Sequence, residues 1–281
     1  MSPKRVAPDA ERDIVPETDY TGCLMKIPRT LLLTTLPLLA AVPPARDGGA
    51  LARFSGSPAP QLSLGPSGTN IGTIETALLH AAPTMRPAAL RAALSAWGAL
   101  YFRGEVSRPC LTVIDYGLPS TVRRMWVFDL ASRRLLFHEL VAHGRNSGED
   151  LALSFSNEEG SLMTSLGAFV TGTTYNGRNG YSLRLRGMEP GVNDRAEART
   201  IVVHGAPYVR EEVAHRHGRL GRSYGCPAVR PEIARALIDE VKDRTLLYAW
   251  HPSIGNAEAP AGLAHTVSIL GLLDALSHRS S

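Results

Sequence analysis

The sequence predicts a mainly β, β-rich α+β protein, with a helical segment before the strands and a helix near the C-terminal end. From Cys110 onward, short apolar or alternating runs are separated by turn residues, a pattern that is typical of strands. Before them, apolar residues from Ile74 to Phe102 recur at helical spacing. Pro231 then opens a run to Val241 whose apolar residues fall on one helix face. With 44% hydrophobic residues, the chain can bury a core.

Residues 1–45 are predicted to form a leader. Met25-Lys26-Ile27-Pro28-Arg29 supplies a basic start, Thr30–Val42 is apolar, and small residues and prolines follow, which is the pattern of a secretory signal peptide. The apolar stretch is shorter than the roughly 20 helical residues that span a bilayer, so we expect no stable membrane span. We expect translation to start at Met25 and the product to be exported to the periplasm or cell wall. A buried helix in a cytosolic protein is the alternative, and it explains the charge order less well.

The remaining chain divides by composition. Residues 46–73 are rich in Gly, Pro, Ser and Ala, which predicts a flexible linker. Residues 74–108 are expected to form a helical cap, with Pro87 near a helix start. Residues 109–252 form the predicted main domain, and 253–281 a tail to which we assign no chemistry.

The main domain is expected to hold a mixed sheet, because its apolar runs are short and its loops carry Gly, Asn and Ser. The predicted strands are Leu111–Asp115, Arg124–Asp129, Leu135–Ala142, Ala168–Thr173, Tyr181–Leu185, Thr200–His204 and Thr245–Trp250.

One motif carries the chemistry. Arg222-Ser223-Tyr224-Gly225-Cys226-Pro227 places a thiol between a glycine and a proline, in a tight turn where backbone N–H groups can converge. Upstream, His204 ends the apolar run Ile201-Val202-Val203 and can accept the thiol proton. A lone cysteine is more often a small buried hydrophobe. Here, however, arginines surround it and favour the reactive thiolate: Arg210, Arg216, Arg219, Arg222 and Arg230.

The motif predicts acyl transfer, with His204 as the base and the backbone N–H groups of Tyr224, Gly225 and Cys226 as oxyanion donors. No acidic residue adjoins His204, so the Gly205 carbonyl is the expected orienting group.

Zinc is the competing interpretation, because His204, His215, His217 and Cys226 are four potential ligands. Their spacing matches no standard zinc signature, and His215-Arg216-His217 is expected to be solvated or to anchor a loop. We therefore predict no metal and no cofactor.

The cysteines leave a second choice open. Cys23 would be removed with the leader, so Cys110 and Cys226 could form a disulfide in an exported protein. A buried Cys110 and a free Cys226 is the preferred alternative, because a bridge would silence the nucleophile.

The net charge of +4 suits an anionic polymer or a carboxylate substrate. No zinc-finger spacing, aromatic RNA-binding signature or lysine-rich arm indicates nucleic acid as a partner.

Val203-His204-Gly205 followed by Gly221–Ala228 resembles the catalytic domain of L,D-transpeptidases, which has the YkuD-like fold. The similarity is strongest to the murein L,D-transpeptidase branch, and His143–Gly148, Ser165–Gly167 and Gly180–Leu185 are similar to it as well. The resemblance covers roughly Pro109 to Trp250. It implies a YkuD-like mixed β-sandwich or barrel with an N-terminal helical cap and a C-terminal helix.

The resemblance implies a concrete reaction. Cys226 would attack the carbonyl of the third residue of a peptidoglycan stem peptide, D-alanine would leave, and an amine of a neighbouring stem would resolve the thioester. His204 would be the base and the Gly205 carbonyl its orienting group. Ser223 and Gly225 would shape the turn. Carbapenem-type inhibitors are expected to acylate the same sulfur.

This chain departs from better-studied members at two positions. Tyr224 stands where they carry histidine, and Ala228 where they carry arginine. Arg222 or Arg230 could replace that arginine in binding a substrate carboxylate. His143 and Tyr181 are further substrate-binding candidates, although structural hydrogen bonding explains His143 equally well.

The predicted function is thus a peptidoglycan L,D-transpeptidase that forms 3-3 or 1-3 cross-links through a cysteine thioester. A hydrolase using the same site, either an L,D-carboxypeptidase or an amidase that releases wall-linked protein, is the alternative. A non-catalytic wall-binding module is a third hypothesis, and it predicts an unreactive Cys226.

Overall fold

The computed structural model describes residues 71–254, which form helices, strands and connecting turns. The leader, most of the linker and nearly all of the tail lie outside these residues, as do Met25 and Cys23. The elements in chain order are α1 (Ile71–Ala81), α2 (Pro87–Phe102), β1 (Cys110–Asp115), β2 (Met125–Asp129), β3 (Arg134–Glu139), β4 (Gly167–Gly177), β5 (Gly180–Gly187), β6 (Val202–Gly205), α3 (Glu211–His217), β7 (Ala228–Val229), α4 (Pro231–Val241), β8 (Leu246–Trp250) and a final 3₁₀ turn (Pro252–Ile254).

The strands form one eight-stranded mixed sheet in the order β3-β2-β1-β8-β4-β5-β6-β7. β1 pairs in parallel with β8 and β6 in parallel with β7, while the other neighbours are antiparallel. The chain just after β3 turns toward the opposite edge, where Ala142 bridges Ala228 of β7. The two edges of the sheet therefore nearly meet. The predicted β-rich mixed sheet, with helices before it and one near its C-terminal end, is confirmed.

Strands β1, β2 and β8 are buried along their whole length because both faces of this part of the sheet are covered. β1, β2 and β8 contain only buried residues, as expected for strands between two layers. On one face, α1 and α2 share a hydrophobic cluster with these strands, around the fully buried Trp97. On the other face, α4 packs through Leu237 and Ile238. In contrast, β5 lies nearer the edge and alternates, with Leu183 and Leu185 buried.

Helix boundaries agree with the proline signals. α2 begins at Pro87 and α4 covers Pro231–Val241, as predicted, because proline is pre-organised for the first helical position. α1 begins at Ile71, within the last residues of the predicted linker 46–73. Among residues 71–254, no helix has both the length and the apolar content needed to cross a membrane.

Several elements differ from the expectation: β4 continues past Thr173 to Gly177, β6 begins at Val202, and β7 was not predicted. β3 ends at Glu139 rather than Ala142, because the following residues leave the β2 ladder to join the β7 edge. Helix α3 was missed, since its short sequence has no apolar periodicity. Glu211 and Glu212 in its first turn and the basic residues of its last turn complement the helix dipole, and Gly218 ends it at φ 66°. This order of acidic and then basic residues was the sequence signal that could have predicted α3.

Candidate active site

The turn before Cys226 can form only with glycine at position 225. Gly225 has φ +125°, and a Cβ there would lie 2.8 Å from the Met163 carbonyl oxygen. The Ser223 hydroxyl braces this turn from inside: its Oγ accepts the Gly225 N–H at 3.1 Å and donates to the Cys226 carbonyl at 2.6 Å. The turn is therefore fixed by local hydrogen bonds that serine and glycine together make possible.

Two neighbouring segments, the chain after β3 and the loop that contains Thr164, hold the turn in place. Ser223 exchanges backbone hydrogen bonds with the chain after β3, donating to His143 at 2.9 Å and accepting from Arg145 at 2.8 Å. From another loop, the Thr164 hydroxyl donates to the Gly225 carbonyl at 3.3 Å and accepts the Gly144 N–H at 2.9 Å. The chain that links the two edges of the sheet thus also binds the turn before Cys226.

The Cys226 side chain is 9% exposed. Its thiol donates to the Thr200 carbonyl, with 3.8 Å between sulfur and oxygen. Burial raises the pKa of this thiol, and the Val202 backbone N–H and the Arg199 guanidinium partly oppose the rise. The resting sulfur is therefore a protonated thiol at neutral pH, and a thiolate would form there only with the help of a base.

His204 lies at the end of β6, where the parallel register places it opposite Ala228, just beyond Cys226 and Pro227. Its ring is 5% exposed, and its Nδ1 lies 2.9 Å from the Gly205 carbonyl oxygen. Because a carbonyl only accepts, Nδ1 carries the hydrogen and Nε2 keeps its lone pair in the neutral ring. Burial lowers the pKa of His204, so the ring is neutral at pH 7. This is the tautomer that a general base requires.

The predicted oxyanion donors are not equivalent. The Gly225 N–H is directed at Ser223 Oγ, away from any substrate oxygen. This leaves the Tyr224 and Cys226 amides as candidate donors on the turn. The Tyr224 ring is 67% exposed beside the site, with the Arg145 guanidinium over its face at 6.0 Å. It is an accessible aromatic surface next to the sulfur.

The arginines singled out from the sequence do not surround the thiol with free positive charge. Arg230 forms a two-point ion pair with the buried Glu139, at 2.9 and 2.8 Å. Arg222 binds Glu149 at 2.6 Å and also the carbonyls of Arg145 and Gly148. Both candidates for a substrate carboxylate are thus already engaged by protein carboxylates, although Glu139 also pairs with Arg123 and Glu149 with Arg219. The remaining pairs are Arg210 with Glu232 and Arg219 with Glu149, while Arg216 is exposed on α3.

His143 and Tyr181 are engaged in structural contacts. His143 is buried and accepts from Arg124 Nη2 at 2.8 Å through Nδ1, which leaves Nε2 to donate to the Gly148 carbonyl at 3.4 Å. Tyr181 donates to Asp239 of α4 at 2.6 Å and lies under the Arg235 guanidinium. The structure therefore places the Cys226 turn directly before β7, and His204 and Gly205 on β6, the strand that pairs with β7. The side chains of His143 and Tyr181 instead bind other parts of the protein: Arg124 and Gly148 for His143, and Asp239 for Tyr181.

Cys110 and Cys226 are both free, so the alternative with an unbridged Cys226 is the one observed. Within residues 71–254, no three His, Cys, Asp or Glu side chains are grouped to hold one metal ion. His215 and His217 are exposed on α3.

A comparison with protein families decides the affiliation of this fold. The family model described as "L,D-transpeptidase catalytic domain" matches residues 81–250, more than half of the chain.

The chain belongs to the L,D-transpeptidase catalytic domain family. Membership indicates an enzyme of the L,D-transpeptidase kind, and the match includes the Cys226 turn and β6. No curated protein gives a significant match to this chain.

Solved structures give weaker likenesses. The helical cell shape determining protein Pgp2 from Campylobacter jejuni is 16% identical, with a TM-score of 0.32 over 51% of this chain and 44% of that one. The L,D-transpeptidase LdtMt1 in complex with imipenem is 15% identical, with a TM-score of 0.28 over 45% and 53%. An L,D-transpeptidase from Mycobacterium smegmatis is 12% identical, with a TM-score of 0.30 over 50% and 66%. The chain spans less than two thirds of each.

Sequence reasoning missed Arg199, Thr200 and Thr164 as parts of this L,D-transpeptidase site. They lie in irregular loops, where neither periodicity nor a motif marks them. The available signal was local: Arg199 and Thr200 lie just before β6, the strand that carries His204.

Proposed function

We propose that this protein is an exported peptidoglycan L,D-transpeptidase in which Cys226 is the nucleophile and His204 its general base. The observation that carries the proposal is the hydrogen bond from His204 Nδ1 to the Gly205 carbonyl, which frees Nε2 at the strand end next to the cysteine turn. Membership of the family supports the reaction class. The signal-peptide pattern before residue 45 supports the compartment.

The first half-reaction forms a thioester. His204 Nε2 takes the thiol proton while Cys226 Sγ bonds to the carbonyl carbon of the third stem residue. The Tyr224 and Cys226 amides stabilise the resulting oxyanion. The C–N bond then breaks, and His204 gives its proton to the departing amino group of D-alanine. A neutral thiol and a neutral imidazole are the starting pair, consistent with the raised pKa of Cys226 and the lowered pKa of His204.

The second half-reaction regenerates the enzyme. An amine of a neighbouring stem peptide attacks the thioester carbon, and His204 accepts its proton. The C–S bond breaks as the new amide forms, and the departing sulfur of Cys226 recovers the proton from His204. Water in place of the amine would give hydrolysis by the same steps.

Product analysis tests this proposal. Purified protein is incubated with disaccharide tetrapeptides, and the muropeptides are resolved by mass spectrometry, with and without an added amine acceptor. Because the thioester forms on the third stem residue, we expect D-alanine release and new 3-3 cross-linked dimers. The Cys226→Ala variant should form none.

Two results would count against it. Cross-links that persist in folded Cys226→Ala would remove the nucleophile assignment. Release of D-alanine without dimers, even with excess acceptor, would make the protein the hydrolase alternative. Cys110→Ala is the matched control: its thiol is fully buried in β1, outside the Ser223–Cys226 turn in sequence, so the activity should remain.

A further inference from the structure

Arg199, rather than the arginines predicted from the sequence, is the arginine whose guanidinium lies beside the Cys226 turn. It lies just before β6, and its guanidinium Nη2 would be 3.3 Å from a Cβ on Gly225. The absence of that Cβ therefore admits a cation directly beside the nucleophile turn. Attraction between Arg199 and Cys226 favours the charged form of each group.

The same guanidinium fastens a loop to the site. Its Nη1 donates to the Ser156 carbonyl at 2.6 Å and to Ser165 Oγ at 2.5 Å. Its Nη2 donates to the Met163 carbonyl at 2.6 Å and to Ser161 Oγ at 3.1 Å. These acceptors all belong to residues 156–165, the loop whose Thr164 hydroxyl binds the Gly225 carbonyl.

The charge of Arg199 is not cancelled at short range. Its four contacts are to carbonyl and hydroxyl oxygens, and among the described residues no carboxylate lies within ion-pair distance of it. The neighbouring Glu158 is paired instead with Arg195, at 2.7 Å. Arg222 and Arg230, in contrast, are bound by Glu149 and Glu139. The positive charge that favours a thiolate at position 226 therefore comes from Arg199.

We infer that Arg199 is a positioning residue for the nucleophile: it holds a positive charge against the Cys226 turn and fixes the 156–165 loop that supports the turn. This inference rests on the proposed function. The other titratable groups facing Cys226 are His204 from β6, Tyr116 after β1 and Tyr208 after β6. Both tyrosines have raised pKa values through burial and stay neutral at neutral pH. Of the titratable side chains that face Cys226, Arg199 is thus the one that is positively charged at neutral pH.

The test is the pH dependence of iodoacetamide alkylation at Cys226, followed in the full chain by mapping the peptide that contains it. Arg199→Gln should move the ionisation midpoint of the thiol upward by about one pH unit. Arg199→Lys should restore the midpoint, because it keeps the charge. Its single ammonium cannot span four acceptors, however, so protease cleavage within 156–165 should be faster than in the wild type.

Arg195→Gln is the matched control, because Arg195 lies on the same segment but is exposed and paired with Glu158. Its midpoint should equal that of the wild type. An unchanged midpoint in folded Arg199→Gln overturns the inference. A midpoint raised by about one pH unit in Arg199→Lys also overturns it, because this variant keeps the charge. The lysine variant therefore decides the question if Arg199→Gln does not fold. A wild-type Cys226 that resists alkylation at every pH would contradict the proposed function itself.

Discussion

At the scale of single residues, the site depends on how two ordinary side chains are placed. A buried thiol is a poor nucleophile, since desolvation disfavours its charged form and raises its pKa. The same desolvation keeps the pKa of His204 low, so that its ring can accept a proton. Gly205 fixes the tautomer and Gly225 fixes the direction of the turn. The chemistry therefore rests on backbone geometry as much as on the reactive groups.

Gly225→Ala tests that geometry. Position 225 has φ +125°, and an added Cβ would crowd the Met163 carbonyl and the Arg199 guanidinium. We expect a loss of about 1–3 kcal/mol in the free energy of unfolding. Displacement of the sulfur should slow acylation by about 100-fold. Urea unfolding and the rate of D-alanine release measure the two effects.

Gly180→Ala is the control for backbone strain alone. Gly180 has φ +74° in the turn between β4 and β5, and nothing lies within 4 Å of an added Cβ. This variant should lose stability but keep the acylation rate. Equal rates for Gly225→Ala and the wild type would show that the turn tolerates a side chain, which would contradict the geometric account.

At the scale of elements, the site lies where the sheet almost closes. The Ala142–Ala228 bridge joins the chain after β3 to β7, and the Cys226 turn lies just before β7. The α4 boundaries and the buried central strands could be predicted, because proline and continuous apolar runs are local signals. The edge closure could not, because a bridge between residues so far apart in sequence has no local pattern. Arg199 was missed for the same reason.

Tyr181 gives a prediction at this scale, because its hydroxyl ties β5 to Asp239 of α4. Tyr181→Phe removes this hydrogen bond and keeps the ring under Arg235. We expect a loss of about 1 kcal/mol in stability and an unchanged KM for the donor peptide. Chemical denaturation and donor-titration kinetics measure both. A KM that rises several-fold at wild-type stability would instead support the substrate-binding role that the resemblance implied.

At the scale of the whole molecule, a network of buried polar contacts lies beside the candidate site. Arg124 is fully buried and reaches the carbonyls of Leu118 and Val141 as well as His143 Nδ1. His143 then reaches Gly148, in the loop that Arg222 also holds. The sequence motif around His143 indicated a family, but motif residues alone do not reveal whether a side chain points into a cleft or into the core.

This network predicts a specific acid sensitivity. Burial, with help from the Arg124 charge, lowers the pKa of His143 from 6.5 to about 4; Arg222 adds to the effect and Asp150 opposes it. The unfolded state therefore binds more protons between these pH values, and stability is lost as pH falls through them. Between pH 7.5 and 4.5 the wild type should lose about 2–3 kcal/mol more than His143→Gln.

Urea unfolding of both proteins at the two pH values measures this difference. Glutamine can accept from Arg124 and donate to Gly148, so the variant should still fold. His215→Gln is the control, since His215 is exposed on α3 and its replacement should leave the pH dependence of the wild type. Parallel losses in the wild type and His143→Gln would contradict the assigned structural role.

The account as a whole is tested most directly by locating the covalent adduct that imipenem leaves on the full chain, by intact mass and peptide mapping. We predict one adduct per chain, on the peptide that contains Cys226. Its formation should be about 100- to 10,000-fold slower in His204→Gln. A folded protein that remains unmodified, or carries the adduct on another residue, or reacts as fast without the His204 imidazole, would contradict the Cys226–His204 mechanism.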